Sequence, residues 1–203
     1  MLKIYHVPGT RSARVIWLCE ELDQPYELEL VDFSPEYRAS PEWRAMNPLG
    51  KVPVMRDDDW TMFESGAMVE YVLERYGDGR LRPPPGTAAA AEYLQWSWFA
   101  EASFARPLGD MAHHQFLKPE AERIPAVVED ARKRAHLCID ALEARLADRD
   151  FLLADGFSAA DIMMGYSVFL ARRVGALEPR HSVAEAYMDR LAARPGYAVA
   201  FED

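Results

Sequence analysis

The chain has 203 residues and a net charge of −10, with a pI near 5.0; nine Lys/Arg stand against fifteen Asp/Glu over residues 1–80, and fourteen against eighteen over residues 81–203. Both halves are therefore acidic, and a field of that sign repels phosphate backbones and anionic lipid, which excludes nucleic acid and membrane surfaces as expected partners. The apolar share of 50% and charged share of 28% are those of a globular chain able to bury one large core or two smaller ones. Residues 2–7 (LKIYHV) predict a short strand that Pro8-Gly9 ends. That run is too short for a signal-peptide core, and no apolar stretch approaches the ~18–20 residues of a spanning helix. Val15, Ile16, Leu18, Cys19 and Leu22 recur at helical spacing from Ser12 onward, with Ser12 as the expected N-cap. Glu20, Glu21 and Asp23 crowd the C-terminal end of this helix and oppose its macrodipole, so packing must hold it. Cys19 lies on the apolar stripe, Cys138 sits in a helical pattern of its own, and the two form no CxxC pair. Both read as buried small hydrophobes, in keeping with a cytoplasmic setting. Tyr26 to Val31 alternates and predicts a second strand; strand, helix and strand in thirty residues make a βαβ unit with parallel strands.

From Asp32 to Val52 the chain carries Pro35, Pro41 and Pro48 and reads as irregular. Residues 53–56 and 60–63 predict an antiparallel hairpin around Asp57-Asp58-Asp59. A helix follows from Ser65 to Tyr76, with Met68, Val69, Val72, Leu73 and Tyr76 on its apolar face. The order βαβ then ββα gives a four-stranded mixed sheet with helices packed on it. Residues 77–86 hold three prolines and three glycines and read as a linker. Beyond it every pattern is helical, over 87–115, 122–148, 159–173, 182–193 and 195–201. Two domains are expected, residues 1–78 and residues 87–203.

Four features, in order and spacing, resemble the glutathione transferase family across essentially the whole chain: PGTRSARVIWLCEELDQPYEL, MNPLGKVPVM, the pair Glu64-Ser65 opening a helix, and GFSAADIMMG. The resemblance implies an α/β plus all-α protein, a thioredoxin-like βαβ-ββα domain followed by an all-helical domain, with glutathione as co-substrate. In the proteins it resembles, the bond matching Val52-Pro53 is cis, and the backbone matching Val52 pairs with the cysteinyl backbone of glutathione like an added strand. Lys51, Val52 and Pro53 are accordingly expected in the binding set. Helix N-termini leave N–H groups free and favour a carboxylate, although by itself Ser65 reads equally well as an N-cap. The resemblance implies that Ser65 holds the γ-glutamyl carboxylate and that Glu64 pairs with the γ-glutamyl ammonium. Ser158-Ala-Ala-Asp161 forms a capping box, with Phe157 and Ile162 placed for a hydrophobic staple, and its role is in folding.

The thiol-activating group stays open among three neighbours in the loop Val7-Pro8-Gly9-Thr10-Arg11-Ser12. Thr10, four residues before Arg14, matches the serine of serine-type classes. Ser12 offers a second hydroxyl, although capping is its simpler role, and Arg11 is a cation placed to lower a thiol pKa. The loop has no cysteine, which disfavours a disulfide mechanism on a protein sulfur; Tyr5, inside the strand, reads as core. The second-substrate pocket is implied between the domains, lined by the aromatic helix Glu92 to Phe104. There Leu94, Trp98, Glu101 and Ala105 share one face, and Tyr93, Trp96, Ala100 and Phe104 another. For any single aromatic, core packing is the plainer reading. Glu101 either reaches the glutathione amine of a neighbouring subunit, as the resemblance implies, or is a salt-bridged surface glutamate. His113-His114 cannot share a helix face, and no metal is expected. The expected function is glutathione conjugation to a hydrophobic electrophile, or peroxide reduction, in a homodimer. The alternatives are a glutathione-dependent isomerase or reductase, and a binding protein that has lost catalysis.

Overall fold

The computed structural model describes residues 1–201. The chain divides into two compact units, residues 1–81 together with the chain from Ala193 on, and residues 82–192. In the first unit a four-stranded sheet has the order β2-β1-β3-β4, with β1 Leu2–His6, β2 Tyr26–Leu30, β3 Val54–Asp57 and β4 Trp60–Phe63. β1 runs parallel to β2, from Leu2 opposite Tyr26 to His6 opposite Leu30, and antiparallel to β3, with Tyr5 opposite Val54. β3 and β4 form the expected hairpin. This is the thioredoxin-like arrangement.

Side chains alternate across β1, so its two faces serve different partners. Tyr5 meets Trp43 edge-on at 5.8 Å and, with Val54, forms a cluster against which Val31, Tyr37, Met46 and Val52 pack. Tyr5 is therefore core. Trp43 comes from a segment that the sequence left irregular: helices α2 Pro35–Ala39 and α3 Pro41–Met46 occupy it. Each starts on a serine whose side chain accepts the N–H three residues on, Ser34 from Tyr37 and Ser40 from Trp43, with proline next in the chain. Proline at the first helical position lacks an N–H that would be orphaned anyway, so here it starts helices rather than breaking them.

Helix α1 Ser12–Glu21 is buried along nearly its whole length. The acidic end that opposes its dipole is answered by contacts. Arg194 grips Glu21 with two hydrogen bonds, at 2.8 and 2.6 Å, Trp17 Nε1 donates to the same carboxylate, and the Tyr26 hydroxyl donates to Glu20 at 2.7 Å. Trp17 also meets Tyr197 edge-on at 5.2 Å. The last helix, α10 Pro195–Phe201, thus packs on α1, and the expected helical domain 87–203 loses its C-terminal end to the first unit. Helix α4 Ser65–Tyr76 completes that unit. Cys19 is fully buried with its thiol pushed up to about 12 by burial first and Glu20 second, which makes it inert. Cys138 is only half-buried.

The second unit begins with one helical run, α5 Ala88–Trp98, a π-helical turn Phe99–Phe104, α6 Ala105–Ala112 and a second π turn His113–Leu117. Tyr93, Trp96, Ala100 and Phe104 are buried, whereas Leu94 and Trp98 stay exposed at 43% and 66%. The Ser167 hydroxyl donates to the Ala100 carbonyl at 3.2 Å inside the first π turn, supplying a partner where the helical ladder is widened. Helices α7 Pro125–Leu146, α8 Ala159–Arg173 and α9 Ser182–Ala192 complete the unit. Asp161, wholly buried at the start of α8, accepts the N–H of Leu152 and of Ser158 and the hydroxyls of Ser158 and Tyr187, all at 2.9–3.0 Å. Burial raises its pKa against the pull of those four donors. No helix among the described residues is long and apolar enough to cross a membrane.

Candidate glutathione-binding site

The chain before β3 is shaped by Asn47. Its side chain donates to the Lys51 carbonyl at 2.8 Å and accepts the Leu49 N–H at 3.0 Å, and its carbonyl accepts the Gly50 N–H. Gly50 has φ +61, and a Cβ there would meet the Arg38 carbonyl at 2.6 Å, so only glycine fits this turn. The turn delivers Val52-Pro53, whose peptide bond is cis, as the resemblance implies. The Val52 side chain packs on the Tyr5–Trp43 cluster while its backbone lies outside the β3 ladder. Among the described residues its N–H and C=O have no hydrogen-bond partner. Lys51 beside it is exposed.

Glu64 precedes α4 with φ 76 and ψ 104, a conformation that costs a non-glycine residue ~1–3 kcal/mol and that gathers at ligand sites. Its side chain makes no cap hydrogen bond, and the first turn of α4 carries no acid, so the N-terminal donors of a twelve-residue helix are not neutralised from within. Ser65 is the first helical residue and not the cap, and it is buried. Its oxygen accepts Arg14 Nη1 at 3.2 Å. Arginine has no acceptor, so the direction of that bond is fixed and the Ser65 hydrogen is directed elsewhere. Arg14 itself is a wholly buried cation under this helix end.

Six of the expected site residues, Arg11, Lys51, Val52, Pro53, Glu64 and Ser65, line one recess together with Asn47 and Leu49. Thr10 and Ser12 lie beside Arg11 in the chain at the start of α1. Arg11 occupies the N-cap position, which corrects the expectation for Ser12: it is the first helical residue, fully buried, and does not cap. Its oxygen instead lies 2.6 Å from His6 Nδ1 and 2.7 Å from Thr10 Oγ1. The Thr10 hydroxyl donates to the Val7 carbonyl at 2.7 Å. Sequence reasoning missed His6 and Arg14. Glu101 lies in the second unit, half-buried on the first π turn.

Among the described residues one trio has metal-ligand chemistry, His136, Glu178 and His181, with ligand atoms within 4.8 Å of one another. His181 Nδ1 accepts the Glu178 N–H at 3.0 Å, so the neutral ring carries its proton on Nε2 and has no lone pair there for a metal. The trio is a polar contact between α7 and the chain before α9. A wider depression, lined by Leu146, Asp148, Arg149, Ser182 and Arg190, lies in the second unit and shares no residue with the recess of the first.

A thioredoxin-like domain with a cis-proline loop and an uncapped helix N-terminus in one recess, joined to a helical unit, defines a glutathione-handling class of protein. The chain belongs to the glutathione S-transferase family. The family model "Glutathione S-transferase, N-terminal domain" matches residues 4–84, and "Glutathione S-transferase, C-terminal domain" matches residues 125–190. Glutathione S-transferase 3 of Schizosaccharomyces pombe is 27% identical over 212 aligned positions, covering 100% of this chain and 87% of that protein. The glutathione S-transferase-like protein tpcF of Aspergillus fumigatus is 34% identical, covering 76% of this chain and 68% of its own length. Among solved structures, glutathione transferase URE2P6 from Phanerochaete chrysosporium, in complex with oxidized glutathione, superposes with a TM-score of 0.88 at 26% identity, covering 98% of this chain and 94% of that one.

Proposed function

We propose that this protein is a glutathione transferase that lowers the pKa of the glutathione thiol and delivers the thiolate to the electrophilic carbon of a small hydrophobic compound. The carrying observation is the recess of the first unit, which joins free backbone groups at Val52, the uncapped start of α4 and the strained Glu64. The γ-glutamyl carboxylate sits at Ser65, its ammonium at Glu64, and the cysteinyl backbone pairs with Val52, with Lys51 at the rim. The sulfur then lies toward the start of α1, where the helix dipole and Arg11 favour the anion. The loop holds no cysteine and Cys19 is inert, which favours transfer from glutathione over exchange on a protein disulfide. A cytoplasmic setting, with its reduced glutathione pool, belongs to the same reading. Calorimetric titration with glutathione tests it; no heat of binding at millimolar concentration would overturn it.

Thr10 is the proposed donor to the thiolate. Its hydrogen already rests on the Val7 carbonyl and is shared with the sulfur, so it contributes less than an unengaged hydroxyl would. Thr10→Ala should therefore raise the bound thiol pKa by about one unit, or about 1.4 kcal/mol, and leave glutathione affinity within a few-fold. The ultraviolet absorbance of the thiolate against pH reads this directly.

A two-fold homodimer belongs to the same reading, with Glu101 reaching the partner's glutathione amine. Exposed Leu94 and Trp98 on one helix motivate it. Trp98→Glu is expected to shift sedimentation at micromolar concentration from dimer toward the 23.1 kDa monomer. A wild-type chain that sediments only as monomer would refute the dimer.

A further inference from the structure

Three short contacts run through the turn between β1 and α1. His6 Nδ1 lies 2.6 Å from Ser12 Oγ, Ser12 Oγ lies 2.7 Å from Thr10 Oγ1, and Thr10 Oγ1 lies 2.7 Å from the Val7 carbonyl oxygen. The hydrogens in these contacts can be counted. A carbonyl only accepts, so the Thr10 hydrogen fills the last contact. The Thr10–Ser12 contact then takes the Ser12 hydrogen, since Thr10 has no other. Ser12 is left facing the imidazole with a lone pair, and the hydrogen in the first contact must come from Nδ1. With the order reversed, Ser12 would donate to Nδ1 and Thr10 to Ser12. The Thr10 and Val7 oxygens would then stand 2.7 Å apart with no hydrogen between them. The 3.4 Å approach of Ser12 to Val7 does not relieve that.

We infer that His6 is a positioning residue for thiol activation, an Nδ1–H imidazole that sets a one-way hydroxyl chain through Ser12 to Thr10. The inference rests on the glutathione transferase reading above. His6 ends β1, paired with Leu30, and is 4% exposed, so the strand holds the ring in place. Burial lowers its pKa and keeps the ring neutral. When a thiolate arrives, the Thr10 hydrogen is shared between the Val7 carbonyl and the sulfur, so the 2.7 Å contact keeps its hydrogen while the Ser12 and His6 donors stay as they are. Thr10 is thereby held to the donor role, and each upstream bond polarises the next. No proton passes along the chain; the thiol proton leaves to solvent. This gives Ser12 a task its position cannot supply as a cap.

Nitrogen NMR of the unliganded wild-type protein, labelled at histidine, reads the first link directly. Nδ1 of His6 should bear the proton and Nε2 should not; the opposite tautomer would overturn the chain. In the glutathione complex, His6→Leu is expected to raise the thiol pKa by about one unit, a tenfold loss of thiolate near neutral pH, with affinity within a few-fold. His6→Asn places a donor where Nδ1 stood and should return the pKa close to wild type. A wild-type pKa in His6→Leu, or no rescue by His6→Asn, would make the ring merely structural and end the proposal. If His6→Leu does not fold, the tautomer and the asparagine variant decide. A wild-type protein that binds no glutathione would defeat the functional reading instead, while the histidine spectrum still tests the chain itself.

Discussion

Replacing Asp161 by alanine is expected to destabilise the protein by about 3–5 kcal/mol, the cost of breaking a buried charged cluster from one side. The carboxylate lies in a wholly buried position and collects four donors that have no other acceptor assigned: the N–H of Leu152, the N–H and hydroxyl of Ser158, and the hydroxyl of fully buried Tyr187. Alanine leaves all four facing apolar surroundings. Asparagine separates the fixed donors from those that can turn. Its oxygen can serve one of the two backbone N–H groups, and the Ser158 and Tyr187 hydroxyls can rotate to accept from its amide. The remaining backbone N–H cannot rotate, so Asp161→Asn should cost about 1–3 kcal/mol, the penalty for one unsatisfied buried group. Urea unfolding should show both variants with lowered midpoints and an unchanged dependence on denaturant. A loss below ~1 kcal/mol in the alanine variant would mean that water replaces the carboxylate. The cluster joins the chain before α8 to α9, so its loss acts on the helical unit and not on the glutathione recess.

The capping box at Ser158–Asp161 was legible because its signal is local, four residues with a defined offset. The same holds for the parallel βαβ unit, the hairpin and the start of α4. What escaped sequence reading was either a local signal outweighed by a stronger rule or a contact without local trace. Ser34-Pro35-Glu36 and Ser40-Pro41-Glu42 each begin a short helix, yet three prolines within twenty residues read as irregular chain; proline at a first helical position means the opposite of proline inside one. Glu20 and Glu21 at the wrong end of α1 did pose a question, and its answer, Arg194, stands 173 residues from Glu21. Spacing cannot find such a partner, and so the packing of α10 on α1 was missed. The first π turn lies where Ser167 meets Ala100, also a long-range event. Beneath the start of α4, Arg14 served the sequence reading only as a landmark for counting back to Thr10. Its bond to Ser65 spans 51 residues and depends on how α1 and α4 pack. The Ser12 hydroxyl looked like a cap because a serine before an apolar stripe is usually one; the strand end that places His6 beside it is tertiary.

The bond between Arg14 and Ser65 also sharpens what Ser65→Ala should do. A serine that only caps α4 would donate nothing to a ligand and would cost about 1 kcal/mol of stability when removed. Here Ser65 is not the cap, and its oxygen already accepts a hydrogen from a buried guanidinium, so its own hydrogen is available to the γ-glutamyl carboxylate. The hydroxyl is polarised by a cation on one side and meets an anion on the other, which places its bond among the stronger kind. Ser65→Ala should weaken glutathione binding by about 1.5–3 kcal/mol, roughly 10- to 150-fold in Kd, and should also cost about 1–3 kcal/mol of stability without glutathione, because the buried Arg14 guanidinium loses an acceptor. Arg14→Met should weaken binding as well, and the double variant should lose less than the sum of the two, because one chain of bonds is being cut twice. Arg14→Met also removes a buried charge from the core, so its stability is the control that separates packing from binding. Glutathione titrations of the three variants, beside urea unfolding of each, carry the comparison. Additive losses would mean that Arg14 and Ser65 act on the ligand separately. A Ser65→Ala protein that binds glutathione as tightly as wild type but unfolds earlier would return Ser65 to a structural role and move the carboxylate to the backbone donors of α4 alone.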